Sequence, residues 1–266
     1  MFMKADVLSI EGKVLKQVEL PAQFGNFVRV ELIRRAVLSE QSERYQPKGP
    51  YKYAGLETSA KYRGRKEAYA SNKNKGESML PHEVLPKGRY GKVKRIPSAV
   101  KGRRAHPPKP EHIIVERINA KEHEKAIASA IAATASAQYV KARGHVFDAK
   151  IKLPLILETK VEEIAKAKDF ASLIEKLGIA SDVERAKDRA KKRSGVRKRK
   201  AGRVMPRSIL VVAGDANAAI LKAARNIAGV DVASIDELDA EMLAPGSNPG
   251  RLTLWTESAI EKLRGA

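Results

Sequence analysis

The 266-residue chain contains no cysteine and no long apolar run. The lack of cysteine excludes disulfide bonds, thiolate metal sites and a cysteine nucleophile, and it suits a reducing cytoplasm. No apolar stretch reaches the roughly 18 residues that a membrane helix needs, so we predict no membrane partner. The opening residues, MFMKADVLSIEGK, lack the basic, apolar and small-residue regions of a signal peptide, and we therefore expect a cytoplasmic protein.

The sequence also lacks the short motifs that hold nucleotides or catalytic metals. It has neither of the phosphate-binding patterns G-x-x-x-x-G-K-S/T and G-x-G-x-x-G, and none of its five histidines forms an H-E-x-x-H pair. Acidic residues between Asp231 and Glu241 resemble a divalent-cation cluster, but the helix dipole also favours acids at helix starts. We adopt the second interpretation and predict no catalytic residue, no metal and no cofactor.

Positive charge is abundant but unevenly placed. The chain has 52 Lys and Arg against 31 Asp and Glu, which gives a net charge of +21. Residues 41–110 hold 18 basic and 5 acidic side chains, residues 185–207 hold 12 and 1, and the remainder has a net charge of −3. A surface that is basic only for solubility would mix both signs along the chain. Two basic segments on a nearly neutral body instead indicate an anionic partner, nucleic acid above all.

The first basic segment is poor in residues that build a core. Leu, Ile, Val and Phe make up 7 of the 70 residues in 41–110, whereas 8 of the 13 prolines and six of the seven tyrosines lie there. Such a composition buries too little apolar surface to fold alone. We define residues 46–109 as the basic arm and predict an extended segment that gains order on its partner. Tyrosines among Lys and Arg suit RNA, because aromatic rings stack on unpaired bases.

The rest of the chain, 1–45 and 110–266, has the pattern of a globular body. We expect a hairpin of 4–10 and 13–20, a helix from Phe27 to about Glu43 capped by Asn26, and a helix from Asn119 to about Arg143. Further strands are expected at 153–158, 208–213, 230–234 and 252–255, with helices near Thr159, Asp169, Ser181, Asp215 and Thr256. This alternation predicts an α/β fold. We expect a three-layer sandwich with a mostly parallel central sheet and a long non-globular basic loop inserted after the first helix.

Five runs of residues carry a family resemblance. They are YAGLE at 53–57, SAVKGRRAHPPKP at 98–110, RGHVFD at 143–148, RSILVV at 207–212, and 224–263 from ARNIAGVDVAS to WTESAIEKL. In this order they resemble the archaeal and eukaryotic form of the universal L-four family of large-subunit ribosomal proteins.

The resemblance implies a structural function in the large ribosomal subunit. Family members have an α/β body on the solvent side and a basic loop that threads through large-subunit rRNA and narrows the peptide exit tunnel. The expected partners are therefore 23S-type rRNA, neighbouring large-subunit ribosomal proteins, and the nascent peptide near the loop tip. No enzymatic activity is expected.

Two sets of residues are the candidates for binding rRNA. In the basic arm we expect cations to neutralise phosphates, tyrosines to stack on bases, and His106 to add an RNA contact. The arm candidates are Tyr62, Arg63, Arg65, Lys66, Tyr69, Arg89, Tyr90, Lys92, Lys94, Arg95, Lys101, Arg103, Arg104 and His106. The candidates of the second segment are Lys191, Lys192, Arg193, Arg197, Lys198, Arg199, Lys200 and Arg203. Arm glycines such as Gly102 are expected to let RNA approach the backbone closely.

Two other classes of function stay open. A magnesium-dependent RNA-processing enzyme would use Asp231 and Asp236 to turn over RNA. A DNA-compacting protein would prefer duplex DNA to structured rRNA.

Overall fold

A six-stranded mixed sheet forms the centre of the computed structural model, which describes residues 4–67, 69, 71–148, 151–195 and 202–265. The described strands are β1 (Lys4–Leu8), β2 (Val14–Glu19), β3 (His82–Val84), β4 (Tyr90–Val93), β5 (Leu155–Leu157), β6 (Lys191–Lys192), β7 (Arg203–Val204), β8 (Leu210–Ala213), β9 (Asp231–Ser234) and β10 (Thr253–Thr256). The order across the sheet is β2-β1-β5-β10-β8-β9. Strands β1 and β2 form the predicted antiparallel hairpin, and every other neighbouring pair in this sheet is parallel.

Helices connect most of these strands. Within the described residues they are α1 (Val30–Glu43), α2 (Ala120–Ala135), α3 (Ala137–Arg143), α4 (Ala167–Lys176), α5 (Ala180–Asp188), α6 (Ala219–Arg225), α7 (Ala240–Leu243) and α8 (Glu257–Gly265). Among the helices of this part of the chain, none combines the length and the apolar character needed to cross a membrane.

The central strands are buried on both faces because helices cover the sheet from both sides. In β8 all four residues are buried, and alternate residues enter different apolar clusters. Leu210 and Val212 pack with Trp255 and with helices α1, α2, α7 and α8. Val211 and Ala213 pack on the opposite face with helices α3 to α6. A continuous β-branched run is what a doubly covered parallel strand requires, so the predicted α/β class and mostly parallel sheet are confirmed.

The chain divides into two units. Residues up to Arg44 and from Val115 onward form the body unit, and Tyr45–Ile114 form the arm unit. The arm unit contains the antiparallel hairpin of β3 and β4, with an additional bridge between Lys61 and His82. The structure does not show a non-globular loop, and the predicted division into 1–45, 46–109 and 110–266 stays a prediction.

The predicted start of α1 is wrong. The helix begins at Val30 with Arg29 as its cap, and Phe27 is 84% exposed. The buried aromatic at this end is Phe24, whose ring lies edge-on to Trp255 with 5.3 Å between centroids. Phe24 lies in a short 3-10 helix that ends before Asn26, so Asn26 follows that turn instead of capping α1.

The single helix expected from Asn119 to Arg143 is two helices. Ser136 has an extended backbone that separates α2 from α3. The hydroxyl of Thr134 donates a hydrogen bond to the carbonyl oxygen of Ile131, a side-chain contact of the kind that bends helices. The predicted stop at Gly144 is confirmed, because this glycine has a left-handed φ of 96° after α3.

Other helix starts were predicted with mixed accuracy. Thr256 caps α8 as expected, since its Oγ1 accepts a hydrogen bond from the Ala259 N–H at 3.3 Å. Thr159 opens a 3-10 helix instead of an α-helix, and α6 begins at Ala219 with Ala218 in the cap position. Asp215 instead accepts a hydrogen bond from Lys262 Nζ at 3.0 Å.

Candidate nucleic-acid interface

A short basic ribbon presents part of the second basic segment. We call β6 and β7 the basic ribbon: Lys191 pairs with Val204, and Lys192 pairs with Arg203. The Arg193 N–H donates to the Gly202 carbonyl oxygen at 3.4 Å, which extends the pairing by one residue. The side chains of Lys191, Lys192 and Arg203 are exposed, so the body unit presents three cations side by side.

An arginine of α5 fixes both ends of the basic ribbon to the body unit. Arg185 precedes the ribbon, and its guanidinium donates to the carbonyl oxygen of Arg207, which follows the ribbon, at 3.0 Å. The same guanidinium binds Asp182 through Nε at 2.9 Å and Nη2 at 3.2 Å. Arg185 therefore positions the ribbon and is not free to bind phosphate.

Asp182 is the buried acceptor at the centre of this anchor. Its carboxylate also accepts hydrogen bonds from the Val146 N–H at 3.0 Å and from His145 Nδ1 at 3.0 Å. Desolvation acts to raise the pKa of Asp182, but the hydrogen bonds from His145 and Arg185 outweigh it and lower the pKa to about 2. Desolvation lowers the pKa of His145 and outweighs the opposing effect of Asp182, which keeps the buried imidazole neutral near pH 7.

A fully buried arginine lies next to the start of β8. Arg251 is fully buried and donates to the carbonyl oxygens of Ser208 and Met242 at 3.0 and 2.9 Å, and to Asp231 at 2.6 Å. Asp231 also binds Arg207. The prediction that Asp231 belongs to a helix start is therefore wrong, because Asp231 opens β9 and serves as an ion-pair partner for two arginines.

The β3–β4 hairpin of the arm unit is held by a histidine. His82 is buried, and its two ring nitrogens lie 3.1 Å from the Gly91 carbonyl oxygen and 3.0 Å from the Ser78 carbonyl oxygen. Both ring nitrogens of His82 are therefore used inside the arm unit.

The three candidate tyrosines have different surroundings. Tyr62 and Tyr69 are 63% and 91% exposed, so both rings are available for stacking. Tyr90 is half-buried, its hydroxyl donates to the Ser71 carbonyl oxygen at 2.9 Å, and its ring lies 5.9 Å from that of His82. Tyr90 thus holds the hairpin together, which leaves less of its ring for a base.

Two consecutive turns present the cations near the end of the arm. The Ala99 N–H donates to the Ile96 carbonyl oxygen and the Gly102 N–H to the Ala99 carbonyl oxygen, at 3.3 and 3.0 Å. A Cβ added to Gly102 would overlap the Ile96 carbonyl oxygen. Glycine at 102 is therefore required by the chain's own packing. This reason differs from the predicted one, which was close approach of RNA to the backbone.

Most of the predicted contact residues lie at the surface. The following are exposed: Arg65, Lys66, Arg89, Lys92, Arg95, Lys101, Arg103, Arg104 and His106. Arg63, Lys94 and Arg193 are half-exposed. Two of the arm cations also bind the backbone, since Lys94 donates to the Val100 carbonyl oxygen at 3.1 Å and Arg95 to that of Ala60 at 3.3 Å. The predicted contacts Arg197, Lys198, Arg199 and Lys200 lie outside the described residues.

The ion pairs of the described residues all lie in the body unit. Thirteen such pairs join Lys, Arg or His to carboxylates there, including Lys13–Glu11 at 2.8 Å and Arg29–Glu31 at 2.9 Å. Wherever the arm unit and the basic ribbon are described, no Lys or Arg has a carboxylate within 4.0 Å. Part of the body's cations are thus ion-paired, whereas the described cations of the two predicted RNA-binding segments have no carboxylate counter-ion in the arm unit or the basic ribbon.

Sequence reasoning missed the residues that position the interface. His145 and Asp182 are 37 residues apart, so no local pattern reveals their pairing. His123 is half-buried and lies 2.8 Å from Glu40, a contact between residues 83 positions apart. Over the described ranges, no group of three or more His, Asp or Glu side chains is arranged to hold a metal ion.

The sequence matches a known family over most of its length. The model of the Ribosomal protein L4/L1 family matches residues 18–266. The chain belongs to this family. The recognition made from the five sequence runs is thereby confirmed, and the protein is a structural ribosomal constituent and not an enzyme.

The chain is similar to ribosomal proteins from several archaea. The chain is 49% identical over 263 residues to the large ribosomal subunit protein uL4 of Methanocaldococcus jannaschii, with 98% of each chain covered. It is 44% and 43% identical to the proteins of the same name from Methanoculleus marisnigri and Archaeoglobus fulgidus, again with 98% of each chain covered. The family is thus shown along nearly the whole chain, including both basic segments.

Proposed function

We propose that the protein is a constituent of the large ribosomal subunit in the cytoplasm and binds its rRNA through two surfaces. One is the basic arm, 46–109, and the other is the second basic segment with the basic ribbon. The observation that carries the proposal is the distribution of ion pairs: within the described residues they occur only in the body unit, and no Lys or Arg of the arm or the ribbon has a carboxylate partner. Phosphates are the counter-ions that such a surface requires.

The arm supplies more than charge. Tyr62 and Tyr69 lie exposed among cations, so bases have stacking partners beside the phosphate contacts. Lys101 lies within the turn that Gly102 closes, and Arg103 and Arg104 follow that turn, so three cations lie along a short stretch of backbone. Such a segment suits an RNA crevice better than a flat duplex surface.

The family resemblance extends the proposal to the exit tunnel. A basic arm that threads through rRNA brings its tip to the tunnel wall, beside a neighbouring ribosomal protein and the nascent peptide. The support for this finer point is the match of the arm's base, SAVKGRRAHPPKP, together with family membership.

The test compares two triple variants that remove the same charge. One is Lys101→Gln with Arg103→Gln and Arg104→Gln; the control is Lys13→Gln with Arg29→Gln and Lys262→Gln, whose cations are ion-paired in the body unit. Fluorescence anisotropy measures binding of the full chain to a large-subunit rRNA transcript across salt concentrations. Loss of three phosphate contacts should flatten the slope of log K against log salt by about 2 to 3, and the control should leave it unchanged. Equal slopes for the two variants would contradict the proposal.

A further inference from the structure

Strand β9 is an edge strand of the six-stranded sheet, so it has a neighbouring strand on one side only. It pairs with β8 alone, in parallel register. The Asp231 N–H donates to the Ile209 carbonyl oxygen at 3.1 Å, and every second residue of a parallel strand bonds to the same neighbour. Asp231 and Ala233 therefore face β8, whereas the N–H and C=O groups of Val232 face outward. In the described part of the chain, no hydrogen-bond partner is found for these two groups, and the next outward residue, Ser234, is fully buried at the start of a 3-10 helix.

A groove follows this free edge. It has a volume of about 480 Å³, and the consecutive residues Val230 to Ser234 line it along their whole length. Helix α6 forms one wall with Leu221 and Lys222, and the segment around Met242 and Pro245 forms the other. The outward N–H and C=O groups of Val232 lie between two walls that are partly apolar, which is the shape that an added strand requires.

The charges that line the groove indicate which kind of segment it can bind. Five cations and three acids line the groove. Arg207 and Arg251 share Asp231, and Arg44 binds Glu241. Lys222 and Arg225 on α6 are exposed and have no carboxylate partner among the described side chains. The rim of the groove is therefore basic, and Glu237 on the other wall offsets only part of this charge.

We infer that β9 receives an extended, acidic segment of a neighbouring protein as an additional strand of the sheet. The outward N–H and C=O groups of Val232 pair with its backbone, and Lys222 and Arg225 bind its carboxylates. RNA would use the same cations, but it has no need of strand-edge backbone groups or of apolar walls. The inference rests on the proposed function, because the large subunit supplies the neighbouring protein.

The test uses a photo-crosslinker in the groove. p-Benzoylphenylalanine replaces Glu237 in the full chain, which is then assembled into large subunits and irradiated. The expected product is a crosslink to an acidic stretch of a protein, identified by its protease sensitivity and by mass spectrometry. A crosslink to RNA, or no crosslink in assembled subunits, overturns the inference.

Two variants at one position separate strand pairing from side-chain packing. Val232→Pro removes the outward N–H without removing a bond to β8, and Val232→Ala loses similar side-chain contacts but keeps that N–H. We expect the crosslink yield to fall about tenfold in Val232→Pro and to persist in Val232→Ala, as loss of backbone pairing predicts. Equal yields overturn the inference, and thermal unfolding of both variants verifies that they fold.

A second assay tests the inference without subunit assembly. If the chain does not enter subunits, that outcome contradicts the proposed function alone, and this assay still decides the inference. A labelled peptide of alternating Glu and Val is titrated into the isolated full chain, with a Lys and Val peptide as the control. Binding of the acidic peptide that Val232→Pro weakens about tenfold supports the inference. Equal binding of both peptides, or no binding of the acidic one, overturns it.

Discussion

At the scale of single residues, this protein uses cations in two opposite ways. Arg251 and Arg185 are directed inward, where carbonyl oxygens and the carboxylates of Asp231 and Asp182 surround them. Removing one partner of such a buried pair is costly, because the other charge stays without compensation. Lys191 and its neighbours in the ribbon are directed outward. The same residue types therefore stabilise the fold in one place and present charge in another.

The neutral, buried His145 predicts a pH dependence of stability. Desolvation lowers its pKa below the ordinary 6.5, so the unfolded chain binds a proton at this residue before the folded chain does. The free energy of unfolding should therefore decrease as the pH falls through 6.5. Stabilisation by Asp182 persists through this range and is lost only between pH 3.8 and about 2.

Urea denaturation of the full chain between about pH 7.5 and 5.5 checks this prediction. His145→Asn keeps a donor for Asp182 but cannot titrate, so its profile should be flatter than that of the wild type. The exposed His112 provides the control, and His112→Asn should retain the wild-type slope. A wild-type profile as flat as that of His145→Asn would show that His145 does not control stability in this range.

At the scale of elements, the short turns of the arm decide where its cations point. Gly102→Ala places a methyl group against the Ile96 carbonyl oxygen, and the turn must open. We expect binding to large-subunit rRNA to weaken about tenfold while the unfolding transition of the body is unchanged. Anisotropy titrations and thermal unfolding measure the two effects. Ser98→Ala, an exposed change near the same turns, is the control and should bind as the wild type does.

The elements also show what could be predicted from sequence. Strands β5, β8, β9 and β10 were predicted near their true positions, because short apolar runs between turn residues have few alternatives in an α/β fold. Helix starts were less accurate. The Thr159 and Glu162 pattern suggested a capping box, yet the Glu162 carboxylate accepts a hydrogen bond from the Gly214 N–H at 2.9 Å. A partner 52 residues away outweighed a local preference.

The charged residues of the candidate site could be predicted from the sequence, but the residues that position them could not. An excess of Lys and Arg over Asp and Glu is visible in a sequence, so the exposed candidates of the arm and ribbon were found by counting these residues. The anchor of His145, Asp182 and Arg185 was not found, since it exists only after α5 packs against the chain beyond α3. Arg185 and Arg207 belong to the counted basic segment, yet both are used inside the body unit.

At the scale of the whole molecule, the body unit has its own core and the arm carries most of the excess charge. We predict that deletion of residues 50–109 leaves a folded body that large subunits incorporate poorly. The ends can be joined by a short Gly-Ser linker, because a Cβ on Gly49 would lie 3.2 Å from Pro110 Cδ.

Thermal unfolding and sedimentation of tagged protein with large subunits check this prediction. The deleted chain should keep a cooperative transition, since both apolar clusters consist of body residues. Its share in the subunit fraction should fall about tenfold relative to the full chain, because the arm's phosphate contacts are gone. Undiminished incorporation would mean that the body alone directs assembly.

The order of strands in the sheet also fixes when the body can fold during its own synthesis. Strand β10, which lies between β5 and β8, follows the other five strands of the sheet in the chain. Until the residues of β10 leave the ribosome that makes them, β2-β1-β5 and β8-β9 are separate fragments with exposed apolar edges. The cationic arm emerges much earlier. A nascent chain therefore displays its affinity for polyanions before it has a finished domain, and RNA or a chaperone must shield it during that interval.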